Sequence, residues 1–196
     1  MKRLLMIAVT LLLAPALFAD ELAAGAKAPG FSLTNVVDGK PVIFTPGDGK
    51  TTVVVFTCNQ CPYARAFEQR IVDLGAEFTK RGIHFYAIDS NDDVAFPEET
   101  AAEMKSRAEA KHYPYPYLKD ADSKIARAYG ARVTPHVFVI DGTGTIRYRG
   151  YVDDSAKPEQ RTHSGLKDAL DQLTTGREIN QPETKAFGCT IKYKRG

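Results

Sequence analysis

Cysteine is scarce in this chain of 196 residues: it occurs three times, at positions 58, 61 and 189. With a single C-x-x-C pair, the paired-knuckle zinc framework of about four ligands is missing. Cys189 and one histidine would have to complete such a site, yet His84, His112, His136 and His163 show no shared ligand spacing. Repeats and low-complexity stretches are absent too.

A long apolar run occurs only once. Met1-Lys2-Arg3 precedes the apolar stretch from Leu4 to Phe18, which is too short to span a bilayer comfortably and ends in small residues. We read residues 1–19 as a secretory leader cleaved after Ala19; cleavage after Ala16 and a retained anchor are the alternatives. No cysteine lies nearby to carry a lipid. Cleavage takes two of the 26 basic residues and leaves acid and base balanced at 24 each, so no charge excess favours nucleic acid or a membrane surface. A periplasmic or otherwise exported location is oxidising enough for a disulfide to persist. The odd count leaves Cys189 over once the other two pair.

What the sequence does contain is concentrated in residues 51–63. The run Val53 to Phe56 is β-branched and aromatic without alternation, as in a central strand covered on both faces. After Pro62 the apolar residues Ala64, Phe67, Ile71, Leu74 and Phe78 recur at helical spacing, with Arg65, Glu68, Gln69, Arg70 and Asp73 turned outward. Cys58-Asn59-Gln60-Cys61 therefore sits where a strand feeds a helix, and Pro62 suits that helix's first turn. Helix N-termini favour anions, and the thiolate is cysteine's reactive form. The pattern predicts a redox pair, with the more exposed Cys58 attacking and Cys61 resolving. The helix terminus and Arg65 are the groups available to lower the attacking thiol. A structural disulfide is the plainer alternative.

The surrounding elements follow in order. Phe31–Leu33 and Val42–Phe44 read as a short hairpin, and Ile83–Ser90 as a second strand. Pro97–His112 reads as a helix, after which Tyr113–Tyr117 must be extended. Ser123–Tyr129 is a short helix stopped by Gly130; Val137–Ile140 and Ile146–Tyr151 form a hairpin; His163–Leu173 is the last helix. Asp153-Asp154 reads as solvated turn charge rather than a metal pair. This order predicts an α/β protein: a thioredoxin-like three-layer sandwich with a mixed central sheet, helices on both faces and an N-terminal hairpin extension. The domain runs over residues 20–182, and residues 183–196 form a tail carrying Cys189.

Proline in Val133-Thr134-Pro135-His136 stands just before a buried strand, where a cis Thr134–Pro135 bond fits, although a trans loop proline is the commoner case. Thr134 and Pro135 are thus expected to present a substrate strand beside the sulfurs. His136 is either a proton acceptor near them or a buried strand residue. Cys189 is either a resolving thiol or packed and inert.

Several segments together resemble a known group. They are Cys58-Asn59-Gln60-Cys61-Pro62-Tyr63, Ser90-Asn91-Asp92 with Pro97-Glu98, Tyr115-Pro116-Tyr117-Leu118, Thr134-Pro135-His136, Tyr148-Arg149-Gly150 and Gly188-Cys189-Thr190-Ile191-Lys192. From about Gly25 to Lys192 the chain resembles the peroxiredoxin-like subgroup of the thioredoxin-fold redoxin (alkyl hydroperoxide reductase/thiol-specific antioxidant) superfamily. The resemblance implies that fold and redox-active cysteines, and no particular substrate. Peroxiredoxins share a P-x-x-x-T-x-x-C motif and a distant arginine. With Cys61 as the attacking cysteine, the threonine position holds Cys58, the proline position Val54, and the arginine position Pro135.

The expectation is an exported thiol–disulfide oxidoreductase that exchanges with protein thiols and disulfides and draws electrons from a thiol protein. It calls for no cofactor, metal, nucleic acid or membrane. A thiol peroxidase with Cys189 resolving is the second reading. A copper-handling module using Cys58, Cys61 and His136 is the third, non-enzymatic one.

Overall fold

The computed structural model describes residues 21–194, so the leader read over residues 1–19 lies outside the described residues. Among those described, no helix is long and apolar enough to cross a membrane. The strands are β1 (Phe31–Asn35), β2 (Pro41–Phe44), β3 (Thr52–Phe56), β4 (His84–Asp89), β5 (Tyr117–Lys119), β6 (Val133–Thr134), β7 (His136–Ile140), β8 (Ile146–Gly150) and β9 (Cys189–Thr190). The helices are α1 (Pro62–Thr79), α2 (Ala101–Ala110), α3 (Lys124–Tyr129) and α4 (Gly165–Thr174).

β3 lies at the heart of a seven-stranded sheet ordered β2-β1-β5-β4-β3-β7-β8. It pairs parallel with β4 and antiparallel with β7, and all five of its residues are buried. The two-residue period of a strand divides them between two cores. Val53 and Val55 pack with Phe67, Ile71 and Phe78 of α1, Met104 of α2 and Leu166 and Leu170 of α4. Val54 and Phe56 pack with Ala126 and Tyr129 of α3, Phe31 and Phe44 of the hairpin, and Ile191 of the tail. The sheet is mixed and carries helices on both faces.

Three readings change. The helix over 97–112 is interrupted: a 3-10 turn at Pro97–Glu99 precedes α2, because Thr100 is extended (ψ 153°) and Glu99 turns fully inward. Glu68 faces α2 rather than water. Its carboxylate accepts from Arg107 at 2.6 Å and from the Tyr113 hydroxyl at 2.7 Å, which offsets the cost of burying the charge. Asp153 is likewise buried and paired with Arg70 at 2.6 Å, so it is not solvated turn charge. The extended tyrosine segment runs into β5, which joins β1 to β4 in the sheet.

The outer strand β8 is not left bare. Gly25 and Ala26 exchange backbone hydrogen bonds with Ile146, and Pro182 and Thr184 do the same with Arg149.

Candidate active site

β3 delivers Cys58 and α1 begins immediately after Cys61, which is the helix's N-cap residue. The Cys61 sulfur accepts the Ala64 backbone N–H at 3.4 Å and donates to the Thr134 carbonyl at 3.3 Å. The Cys58 sulfur lies 3.1 Å from the Thr134 hydroxyl. One residue on the neighbouring chain segment thus touches both sulfurs, and the Thr134–Pro135 peptide bond beside them is cis. Both cysteines are buried and all three are free thiols.

The surroundings displace the two thiols in opposite directions. The Cys61 thiol is pulled down, first by its hydrogen bond with Cys58, against the cost of burial, and further by Cys189, the Ala64 N–H and Thr134. Cys58 is pushed up, first by Cys61, then by burial, with the Glu99 charge adding to it. Cys58 is slightly the more exposed, 6% against 3%. The Ala64 N–H of the first helical turn meets the Cys61 sulfur, while the Cys61 N–H favours charge on Cys58.

Beneath the loop lies an acidic support that sequence reasoning missed. Glu99 accepts the backbone N–H of Asn59 at 2.7 Å and of Gln60 at 3.0 Å, while the Asn59 side chain donates to the Glu98 carbonyl at 2.8 Å. Lys119, from β5, donates to the Glu99 and Asn91 carbonyls at 2.8 and 2.9 Å and lies 3.4 Å from Asp89. Burial, and after it the neighbouring Glu99 carboxyl, pushes Asp89 well above the usual carboxylate range. Glu99 is lowered despite burial, because Asp89 and the two loop N–H groups bond to it. The two carboxyls are displaced in opposite directions and titrate as a pair. In sequence, Glu99 is only one residue of the helix read over Pro97–His112.

Cys189 completes the arrangement. Its side chain packs on the Cys58–Cys61–Ala64 cluster, and β9 pairs antiparallel with β6 so that Cys189 stands opposite Thr134. The edge of Thr134, expected to be open for a substrate strand, is therefore already taken by the chain's own tail. Gly188 makes the approach feasible: its φ is +152°, and a Cβ there would overlap the Thr134 carbonyl oxygen.

Two proposed modulators lie elsewhere. Arg65 donates to the Asn59 carbonyl at 2.7 Å and clamps the loop from outside rather than meeting a sulfur. His136 is a buried strand residue stacked on Phe138, with its Nε2 3.0 Å from the Glu21 carboxylate, and it lines a separate cavity with Glu21, Arg132 and Arg149. The copper ligand set of Cys58, Cys61 and His136 is consequently not assembled, and among the described residues no cluster of three metal-ligating side chains is arranged to hold an ion.

Residues 24–149 match the AhpC/TSA family. An uncharacterized conserved protein from Geobacillus kaustophilus is 36% identical, over 92% of this chain and 95% of its own, with a TM-score of 0.82. A hypothetical protein from Sinorhizobium meliloti is 30% identical, over 90% of this chain and 98% of its own, with a TM-score of 0.82. A thiol:disulfide interchange protein of the thioredoxin family from Chlorobium tepidum is 28% identical, over 67% of this chain and 87% of its own, with a TM-score of 0.54.

Proposed function

The chain belongs to the AhpC/TSA family of thioredoxin-fold redox proteins, and from that premise we propose that it is an exported thiol–disulfide oxidoreductase working through Cys61 and Cys58. The observation that carries the reading is the placement of Cys61 at a helix N-cap with Cys58 and Thr134 in hydrogen-bond contact. A thiolate held there attacks a disulfide sulfur. Cys58 then attacks the Cys61 sulfur of the mixed disulfide, the partner leaves with both electrons of the broken bond and one proton, and Cys58–Cys61 becomes the disulfide. A second thiol protein returns two electrons and one proton, which restores the Cys61 thiolate and the Cys58 thiol.

The test is reduction of a protein disulfide such as insulin by dithiothreitol, with and without the mature chain. Acceleration that is lost in C58S and in C61S is expected; equal rates with and without the protein would overturn the reading. Export is tested by the N-terminus of the secreted form, which should begin at residue 20.

Peroxide reduction is the second reading, favoured by the lowered Cys61 thiol at a helix N-cap. Rapid sulfenic acid formation at Cys61 in dilute peroxide, faster than insulin reduction, would promote it to first.

A further inference from the structure

The tail lies where a bound polypeptide would be expected. A thioredoxin-like site recruits its partner by pairing an extended backbone beside the sulfurs. Here the Thr134 edge is paired with the protein's own Cys189, which presents a thiol to Cys61. The segment is fastened on both sides of that cysteine. Ahead of it, Phe187 packs on Tyr63, Phe67 and Tyr151. After it, the Ile191 N–H donates to the Arg132 carbonyl at 2.9 Å and the Ile191 side chain is buried. Next, Lys192 donates to Asn91 at 2.7 Å and accepts from the Asp92 N–H at 2.7 Å, and Arg127 lies over the Tyr193 ring.

A strap held at that many points is a fixed part of the site. Exposure then discriminates among the three sulfurs. Cys58 and Cys61 are buried, whereas Cys189 is half-buried. Cys189 is the sulfur a visiting protein can reach.

Resting on the reading above, we propose that Cys189 is the third catalytic cysteine, the port through which a protein dithiol or disulfide exchanges electrons with the buried pair. Starting from the Cys58–Cys61 disulfide, the Cys189 thiolate attacks the Cys61 sulfur. The Cys58–Cys61 bond breaks, the Cys61–Cys189 bond forms, and the electron pair and the proton given up by Cys189 end on Cys58. No net oxidation occurs in that step. A donor dithiol then attacks Cys189, Cys61 leaves as its thiolate, and the donor's second thiol closes on its first. That releases Cys189 and leaves the donor oxidised by two electrons. A low-pKa thiol leaves fast, which suits Cys61 to this part. A protein disulfide loads the pair by the same steps in reverse, so that Cys189 takes the place of the direct attack by Cys61 given above.

The experiment is diamide oxidation of the mature wild-type chain and of C58S, followed by acid quench, alkylation and non-reducing tryptic mapping. In C58S, the peptide 51–65 should appear cross-linked to 186–192 as the main oxidised product. When that oxidised C58S chain is given glutathione, the adduct should form on Cys189 in excess over Cys61 by about tenfold. Absence of the cross-link, or glutathione appearing first on Cys61, would overturn the proposal. Failure of the underlying reading looks different, because the wild type would then fail to accelerate insulin reduction whether or not the cross-link forms.

Discussion

Glu99 holds the Asn59 backbone N–H at 2.7 Å from a position inside the protein, so the loop between the two cysteines is shaped by a carboxylate. The same side chain takes the Gln60 N–H at 3.0 Å. Together these contacts fix the distance between a sulfur at the end of a strand and one at the start of a helix.

Removing that carboxylate leaves two loop N–H groups without their partner. Glu99→Ala is expected to destabilise the fold by about 2–4 kcal/mol, since each unpaired buried donor costs about 1–3 kcal/mol. Glu99→Gln keeps one acceptor and should cost less, while removing the charge that helps to hold the Cys58 thiol up. Urea unfolding of both variants measures the first effect, and the pH dependence of Cys58 alkylation the second.

Asp89 sets a pH slope of opposite sign to the usual carboxylate. Its folded pKa is raised, so folding takes up a proton. Its contribution is therefore complete below the ordinary Asp value of 3.8 and is lost as pH rises through the higher folded value. Glu99, lowered, contributes above its ordinary 4.5 and loses that contribution as pH falls. Asp89→Asn should flatten the decline on the alkaline side while leaving the acid limb. Unfolding midpoints collected across acidic and neutral pH would reveal a retained alkaline decline if this assignment is wrong.

The two thiols of the pair should separate in titration. In the reduced protein, Cys61 alkylation by iodoacetamide should have its midpoint below the ordinary cysteine value of about 8.5, and Cys58 above it. Thr134→Val keeps the shape and deletes the hydroxyl 3.1 Å from Cys58, which helps to lower that thiol. Cys58 should rise further and exchange should slow by about fivefold, the kinetic equivalent of one hydrogen bond of about 1 kcal/mol. Mass spectrometry of each labelled cysteine follows both; a T134V enzyme with unchanged rate and titration would contradict the assignment.

Gly188→Ala should dislodge the tail from β6, because the new methyl group meets the Thr134 carbonyl and the backbone is in a region that favours glycine. A loss of at least about 1 kcal/mol in stability is expected from the strained backbone, together with faster labelling of Cys189 by a bulky maleimide. Unchanged labelling would mean that the strap does not depend on that approach.

How far the sequence could be read follows from where its signals are local. The change from a continuous β-branched run to a 3.6-residue stripe at Pro62 marks β3, the cysteine turn and α1 without help from elsewhere. Gly130, at φ +68°, ends α3 as its sequence suggests. What was hidden depends on partners distant in the chain. β5 is three residues long and ends in a lysine whose amine is consumed by Asp89, Asn91 and Glu99, none of which its neighbours announce. β9 is two residues long and is a strand only because Thr134 lies opposite. Glu68 looked outward by helical period, but α2 covers that face.

The rim of β8 is closed at one end by Gly25 and Ala26 and at the other by Pro182 and Thr184, so the beginning and the end of the described chain stitch the same border. The opposite border, β2, is four residues long and starts with Pro41, which offers no N–H to a neighbour. Shortening the protein from either end would therefore do more than loosen a terminus. It would lay open a row of backbone donors and acceptors along β8, a template on which a second molecule could stack its own strand.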